Sequence, residues 1–171
     1  MRTFGVAFGV IAVMASGVGS AQGHPNRPAA SAAAALNLCT AVSTQAAAAA
    51  LGQQGKPPCH QLKGYPQGQA FFAWGPGAGD GVTPLGAGWA FDPTHKSSGK
   101  NVPKGDTTTT VGGHYAIIAR PANEGEALFI AYGSYTVTVA CDLSFSASVQ
   151  NRRVTMFARA VIDGLNAHHF G

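Results

Sequence analysis

The plainest pattern lies near the C-terminus. Val154, Phe157, Ala158, Val161, Ile162 and Leu165 recur every three or four residues, with Arg152, Arg159, Asp163 and Asn166 off that stripe. This spacing predicts an amphipathic helix that needs a core to cover its apolar side, and Ser146 or Ser148 can cap its start. Before it, residues 127–132 and 135–141 alternate around Gly133-Ser134, a two-residue link of the II′ type. That link pairs Tyr132 with Tyr135, Ile130 with Val137 and Leu128 with Val139 on one apolar face. Phe129, Ala131, Thr136 and Thr138 fall on the other, more exposed face. Residues 114–120 read as a further strand ahead of a Pro-Ala-Asn-Glu-Gly turn.

Two aromatic runs, 69–74 and 87–91, also read as strands: Phe72 and Trp74 share one face, Trp89 and Phe91 another. The glycines of 75–81 mark a loop between them. The run 36–51, with five consecutive alanines, predicts one helix stopped by Gly52 in the left-handed role, and Lys56-Pro57-Pro58 gives an extended exit to Cys59. Residues 92–112, with Pro93, Pro103 and four consecutive threonines, read as a long loop, a feature often functional in compact domains. The expected fold is α+β: an antiparallel sheet of four to five strands, with an N-terminal Ala-rich helix and a C-terminal amphipathic helix packed on one face.

The start of the chain changes where this fold is expected to work. Arg2, an apolar stretch over 4–18 and small residues at Gly19 and Ala21 have the form of a cleavable secretory signal. Residues 1–21 are therefore read as a signal peptide, 22–35 as a flexible spacer and 36–171 as a single domain. The apolar stretch is short and glycine-bearing for a membrane span. No cysteine follows it to carry a lipid, so no stable membrane anchor is expected after cleavage.

Export places Cys39, Cys59 and Cys141 in an oxidising compartment. The favoured pairing is Cys39 with Cys59, which bracket the first helix and its exit. Pairing of Cys141 with either, or no disulfide, remains open. Eleven Lys and Arg against seven Asp and Glu give a formal charge of +4. The basic residues are scattered, which argues against nucleic acid as a partner. The hydrophobic share of 46% excludes a disordered chain.

Chemistry is sparsely marked. The Gly-rich loop lacks the Gly-Lys-Ser/Thr of a phosphate cradle, and no Gly-x-Ser-x-Gly is present. The histidines lie apart except His168-His169, so neither a metal nor a cofactor is expected. No pair of acids is marked for work on a glycosidic bond. Trp74 and Trp89, beside Gly-rich loops, and Tyr132 and Tyr135, at a tight turn, suit a ligand surface and suit core packing equally. Lys96, Lys100 and Lys104 make the long loop a second candidate binding element.

The signal peptide, the Cys-containing helix ending in Leu51-Gly52, the second cysteine, the Val-Gly-Gly-His-Tyr-Ala strand and the Tyr-Thr-Val-Thr-Val-Ala-Cys strand together resemble small secreted or lipid-anchored actinobacterial domains of unknown function. The departures are the missing lipid-attachment cysteine and His60-Gln61 after Cys59, where that type often shows Cys-x-Trp. The resemblance implies an envelope or extracellular location and an α+β fold, and it carries no catalytic residue. The function expected is a non-enzymatic secreted binding module whose partner is a protein, a glycan or a small apolar ligand. The alternatives are a small secreted hydrolase, in which Cys141 or a pocket carboxylate works with His114, and a secreted inhibitor or effector.

Overall fold

A computed structural model describes residues 36–78, 84–94, 102–120, 125–141 and 147–170. The signal peptide, the spacer, Lys96, Lys100 and Ser146 lie outside them. The chain forms helices α1 (Leu38–Ala41) and α2 (Thr44–Leu51), then strands β1 (Cys59–Gln61), β2 (Gln69–Trp74) and β3 (Leu85–Phe91). Strands β4 (Thr107–Val111), β5 (His114–Ala119), β6 (Glu126–Tyr132) and β7 (Tyr135–Cys141) follow, and helix α3 (Ala147–Ala167) closes the fold.

The expected single helix over 36–51 is two. Asn37 caps α1, its Oδ1 accepting from Cys39 N at 2.9 Å, and Thr40 donates its hydroxyl to Asn37 O at 2.8 Å. Val42 is extended and Ser43 caps α2. Short polar side chains that bond the backbone compete with helix continuation, so Asn37, Thr40 and Ser43 outweigh the alanine run just upstream of it. Gly52 ends α2 at φ 67°, and Gln53 N–H returns to Ala48 O at 2.9 Å, a left-handed C-terminal closure as expected.

All seven strands join one sheet in the order β1-β2-β3-β7-β6-β5-β4, and every pair is antiparallel. The four to five strands read from the sequence miss β1 and β4. β1 is only three residues long, and β4 is the threonine run, where an edge position leaves no apolar alternation to read. Thus the segment taken as a loop over 92–112 ends in a strand. β3 and β4 stand four strand spacings apart in the sheet, about 19 Å. Asp92 sits at the tip of the β6–β7 hairpin, accepting from Thr136 Oγ1 at 2.8 Å while its N–H donates to Ser134 O at 2.9 Å.

The hairpin pairing is as read, Tyr132 with Tyr135 through Leu128 with Val139. Gly133 has positive φ and Ser134 does not, the II′ signature. The aromatic faces need correction. Ala70 pairs with Trp89, Phe72 with Ala87 and Trp74 with Leu85, so Phe72, Trp74, Trp89 and Phe91 all project to one side. A strand's own alternation fixes which of its residues agree with each other, and only register fixes how two strands agree. On that side the α3 stripe of Val154, Phe157, Val161, Ile162 and Leu165 is fully buried against Phe72, Leu128, Ile130, Val137 and Val139. α1 and α2 join the same core; Gly164 lets α3 approach α1, since a Cβ there would stand 2.7 Å from Ala41 O.

Cys39 and Cys59 form a disulfide that ties α1 to β1, with Cα atoms 5.6 Å apart. Closing a loop of this length contributes about 3 kcal/mol by restricting the unfolded chain. Cys141 stays a buried thiol. Among the described residues no helix is long and apolar enough to cross a membrane.

Candidate functional site

All three helices pack on one side of the sheet, and among the described residues no second layer covers the other. Register assigns that open face strand by strand: His60; Gln69, Phe71 and Ala73; Gly86, Gly88 and Ala90; Thr136, Thr138 and Ala140; Ala127, Phe129 and Ala131; Tyr115, Ile117 and Ala119; Thr108 and Thr110. None of them is Asp, Glu, Lys or Arg. Charge still reaches this face from outside the strands, because Asp92 accepts from Thr136 Oγ1, and the face is unevenly open, since Thr136 and Ile117 are 4% and 3% exposed.

Its relief comes in two cross-strand rows. One runs Phe71, Gly88, Thr138, Phe129, Ile117, Thr108, and the next runs His60, Ala73, Gly86, Ala140, Ala127, Ala119. Aromatic and β-branched side chains thus stand as a ridge beside a floor of alanine and glycine. Gly88 is required by this packing. A Cβ there would fall 2.5 Å from Phe71 Cδ2 and 2.2 Å from Ala70 O, closer than any side chain tolerates. Bare backbone at Gly88 lets the Phe71 ring lie over β3.

Tyr65 extends the ridge beyond the sheet, its ring stacked on Phe71 with centroids 6.0 Å apart and planes 21° apart. The turn that presents it is set by Pro66 O accepting from Gln69 N at 3.1 Å with Gly68 at φ 85°, a type II turn that needs glycine at its third position. Beside Tyr65 opens a cleft of about 430 Å³ lined by Gln61, Leu62, Lys63, Gly64, Tyr65, Gln69 and Ala70. Gln61, Lys63, Tyr65 and Gln69 are the polar residues of its lining. Partial burial raises the Tyr65 pKa above its ordinary 10.0, which keeps its hydroxyl a neutral donor across the physiological range.

The aromatics singled out in the sequence lie elsewhere. Trp74, Trp89, Tyr132 and Tyr135 are 2%, 4%, 6% and 2% exposed. Trp74 meets Phe157 edge-on at 5.1 Å, while Trp89 and Tyr135 each pack 4.8 Å from Phe170. Tyr132 donates its hydroxyl to Asn166 Oδ1 at 2.7 Å, tying the hairpin to α3, and burial raises its pKa too. These four rings fill the core, and of their cluster only Phe91, stacked edge-on against Tyr135, is largely exposed. Lys104 is exposed in the segment before β4, apart from the cleft.

Cys141 and His114 are not brought together. His114 stacks on Tyr132 at 4.7 Å, at the end where β7 begins, and Cys141 ends β7 six residues later, about 20 Å away. Cys141 instead faces Glu126 across the strands. Glu126 is 2% exposed, accepts from Arg120 Nε at 2.9 Å through Oε2 and leaves Oε1 without a donor. Among the described residues no three His, Cys, Asp or Glu side chains gather as metal ligands.

Sequence reasoning missed Tyr65, Phe71, Gln61 and Gln69. Phe71 carries a signal, being out of phase with Phe72 and Trp74. The Tyr65–Phe71 stack has none, because a turn between them creates it. Comparison with known protein families, with curated proteins and with solved structures finds no match.

Proposed function

We propose that this protein is an exported, disulfide-bonded binding module that takes a neutral glycan on its open sheet face, with the cleft at Tyr65 seating one sugar ring. The observation that carries this reading is the Tyr65–Phe71 stack at the border of a face whose strand residues include no Asp, Glu, Lys or Arg. A sugar presents an apolar C–H face, which stacks on an aromatic ring, and a rim of hydroxyls, which need neutral donors and acceptors. Gln69 and the Tyr65 phenol supply these at the cleft, and Thr138 and His60 continue them over the face. An anionic partner would call for clustered basic residues, and Lys63 is the one basic residue lining the cleft. Export agrees with the Cys39–Cys59 disulfide and with the signal-like start of the chain. The hydrolase alternative loses its named pair, since Cys141 and His114 stand at opposite ends of β7.

Calorimetric titration of the disulfide-intact chain with neutral hexose oligosaccharides tests the reading. At least one should bind, with an affinity unchanged between low and high salt, because no ion pair forms. Tyr65→Ala and Phe71→Ala should each weaken it about tenfold, about 1.4 kcal/mol. Absence of binding across the panel, or affinity indifferent to both substitutions, would sink the proposal.

A further inference from the structure

Among the described residues no strand pairs with the outer side of the sheet's far edge, and the chemistry of that edge points to what closes it. β4 ends the strand order, and its sequence is Thr-Thr-Thr-Thr-Val. Natural edge strands are usually protected by charge, proline or a bulge against pairing with another chain. β4 holds no charge and no proline, pairs with β5 without a bulge from Thr107 to Val111, and exposes Thr107, Thr108 and Thr110. The opposite edge, β1, is only three residues long.

The hydrogen-bonding direction along β4 follows from its turn. Gly112 and Gly113 both have positive φ, 56° and 85°, and join Val111 directly to His114, a two-residue I′ hairpin whose flanking residues exchange hydrogen bonds. In an antiparallel ladder the bonded residues alternate. Val111, Thr109 and Thr107 therefore bond to β5, and the N–H and C=O groups of Thr108 and Thr110 point outward.

We infer that β4 pairs with β4 of a second copy of this chain, antiparallel about a two-fold axis at Thr109. The strand is self-complementary in this register. Thr108 lies opposite Thr110 of the second copy, and their outward groups exchange four N–H···O bonds across the axis. Threonine meets threonine on the open face, a favourable cross-strand pair with no like charges opposed. Asp106 falls opposite Gly112 of the second copy rather than opposite another acid. The axis stands normal to the sheet, so the open faces of both copies continue as one surface. The inference does not rest on the glycan reading. Two five-residue strands bury less than the roughly 1,200 Å² typical of stable interfaces, so the dimer is concentration-dependent.

Sedimentation velocity from about 10 µM to about 1 mM, the range appropriate to a weak interface, reads the association. The unmodified chain should pass from monomer to dimer across it. Thr108→Pro removes an outward N–H that the fold does not use, a position where edge strands accept proline. It should stay monomeric with its circular dichroism and Tm close to those of the parent. Thr108→Lys with Thr110→Lys opposes like charges and should also stay monomeric, whereas Thr108→Lys with Thr110→Glu opposes unlike charges and should restore the dimer. A parent chain monomeric throughout, a proline variant that dimerises as the parent does, or a chain that stays monomeric while an added extended peptide occupies β4 would each overturn the inference.

Discussion

Tyr65 and Tyr132 show how the same residue type takes two duties. Both have pKa values raised by burial, but Tyr65 is 40% exposed beside the cleft, while Tyr132 is 6% exposed with its hydroxyl on Asn166. A raised folded-state pKa means that the unfolded chain releases the proton first as pH rises. The stability these groups contribute is therefore complete below pH 10 and is lost as pH climbs through their folded-state values. Chemical denaturation between about pH 8 and 11 should show a flat region followed by a fall, and Tyr132→Phe should reduce that fall. A fall beginning well below pH 10 would show that other groups control it. Of the two readings the sequence left for Tyr132 and Tyr135, ligand surface or core, their burial has a physical cause. Tyr132 and Tyr135 flank a turn as surface residues often do, and they are buried because Phe170, from beyond the end of α3, folds back over that turn.

At the scale of elements, patterns that one segment carries alone were legible. The α3 stripe, the β6–β7 hairpin with its register, the Gly52 stop and the Cys39–Cys59 link all needed only local periodicity or chain proximity. What needed partners was not. β4 is a strand because β5 pairs with it, and its four threonines have no alternation to announce that. The two aromatic strands show one common face only once Ala70 is set opposite Trp89. Gly88 is the residue on which that pair of strands turns. Gly88→Ala should cost about 1–3 kcal/mol, the usual range for overpacking a filled site, and should displace the Phe71 ring. The change is checked by urea denaturation together with fluorescence or NMR of the Tyr65–Phe71 pair. Full stability with the stack intact would show that the β2–β3 contact is looser than its geometry implies.

Among the described residues the molecule is a sheet with one face committed to a core and the other without a helix packed on it. In the strand order β4 lies at the far edge, and the chain returns from it strand by strand to lay β7 beside β3. The proposed binding surface is assembled from strands whose outward residues carry no motif. Pairing through β4 would double that surface and place two clefts on one rigid sheet, an arrangement suited to repeating ligands. The central claim, a neutral glycan on the open face, is tested most directly by a 15N-edited NMR titration of the full disulfide-bonded chain with a neutral hexose oligosaccharide. Shifts should concentrate at Tyr65, Gln69, Phe71, Gly88, Thr138 and Phe129; shifts confined to the α3 side, or none at millimolar sugar, would overturn it.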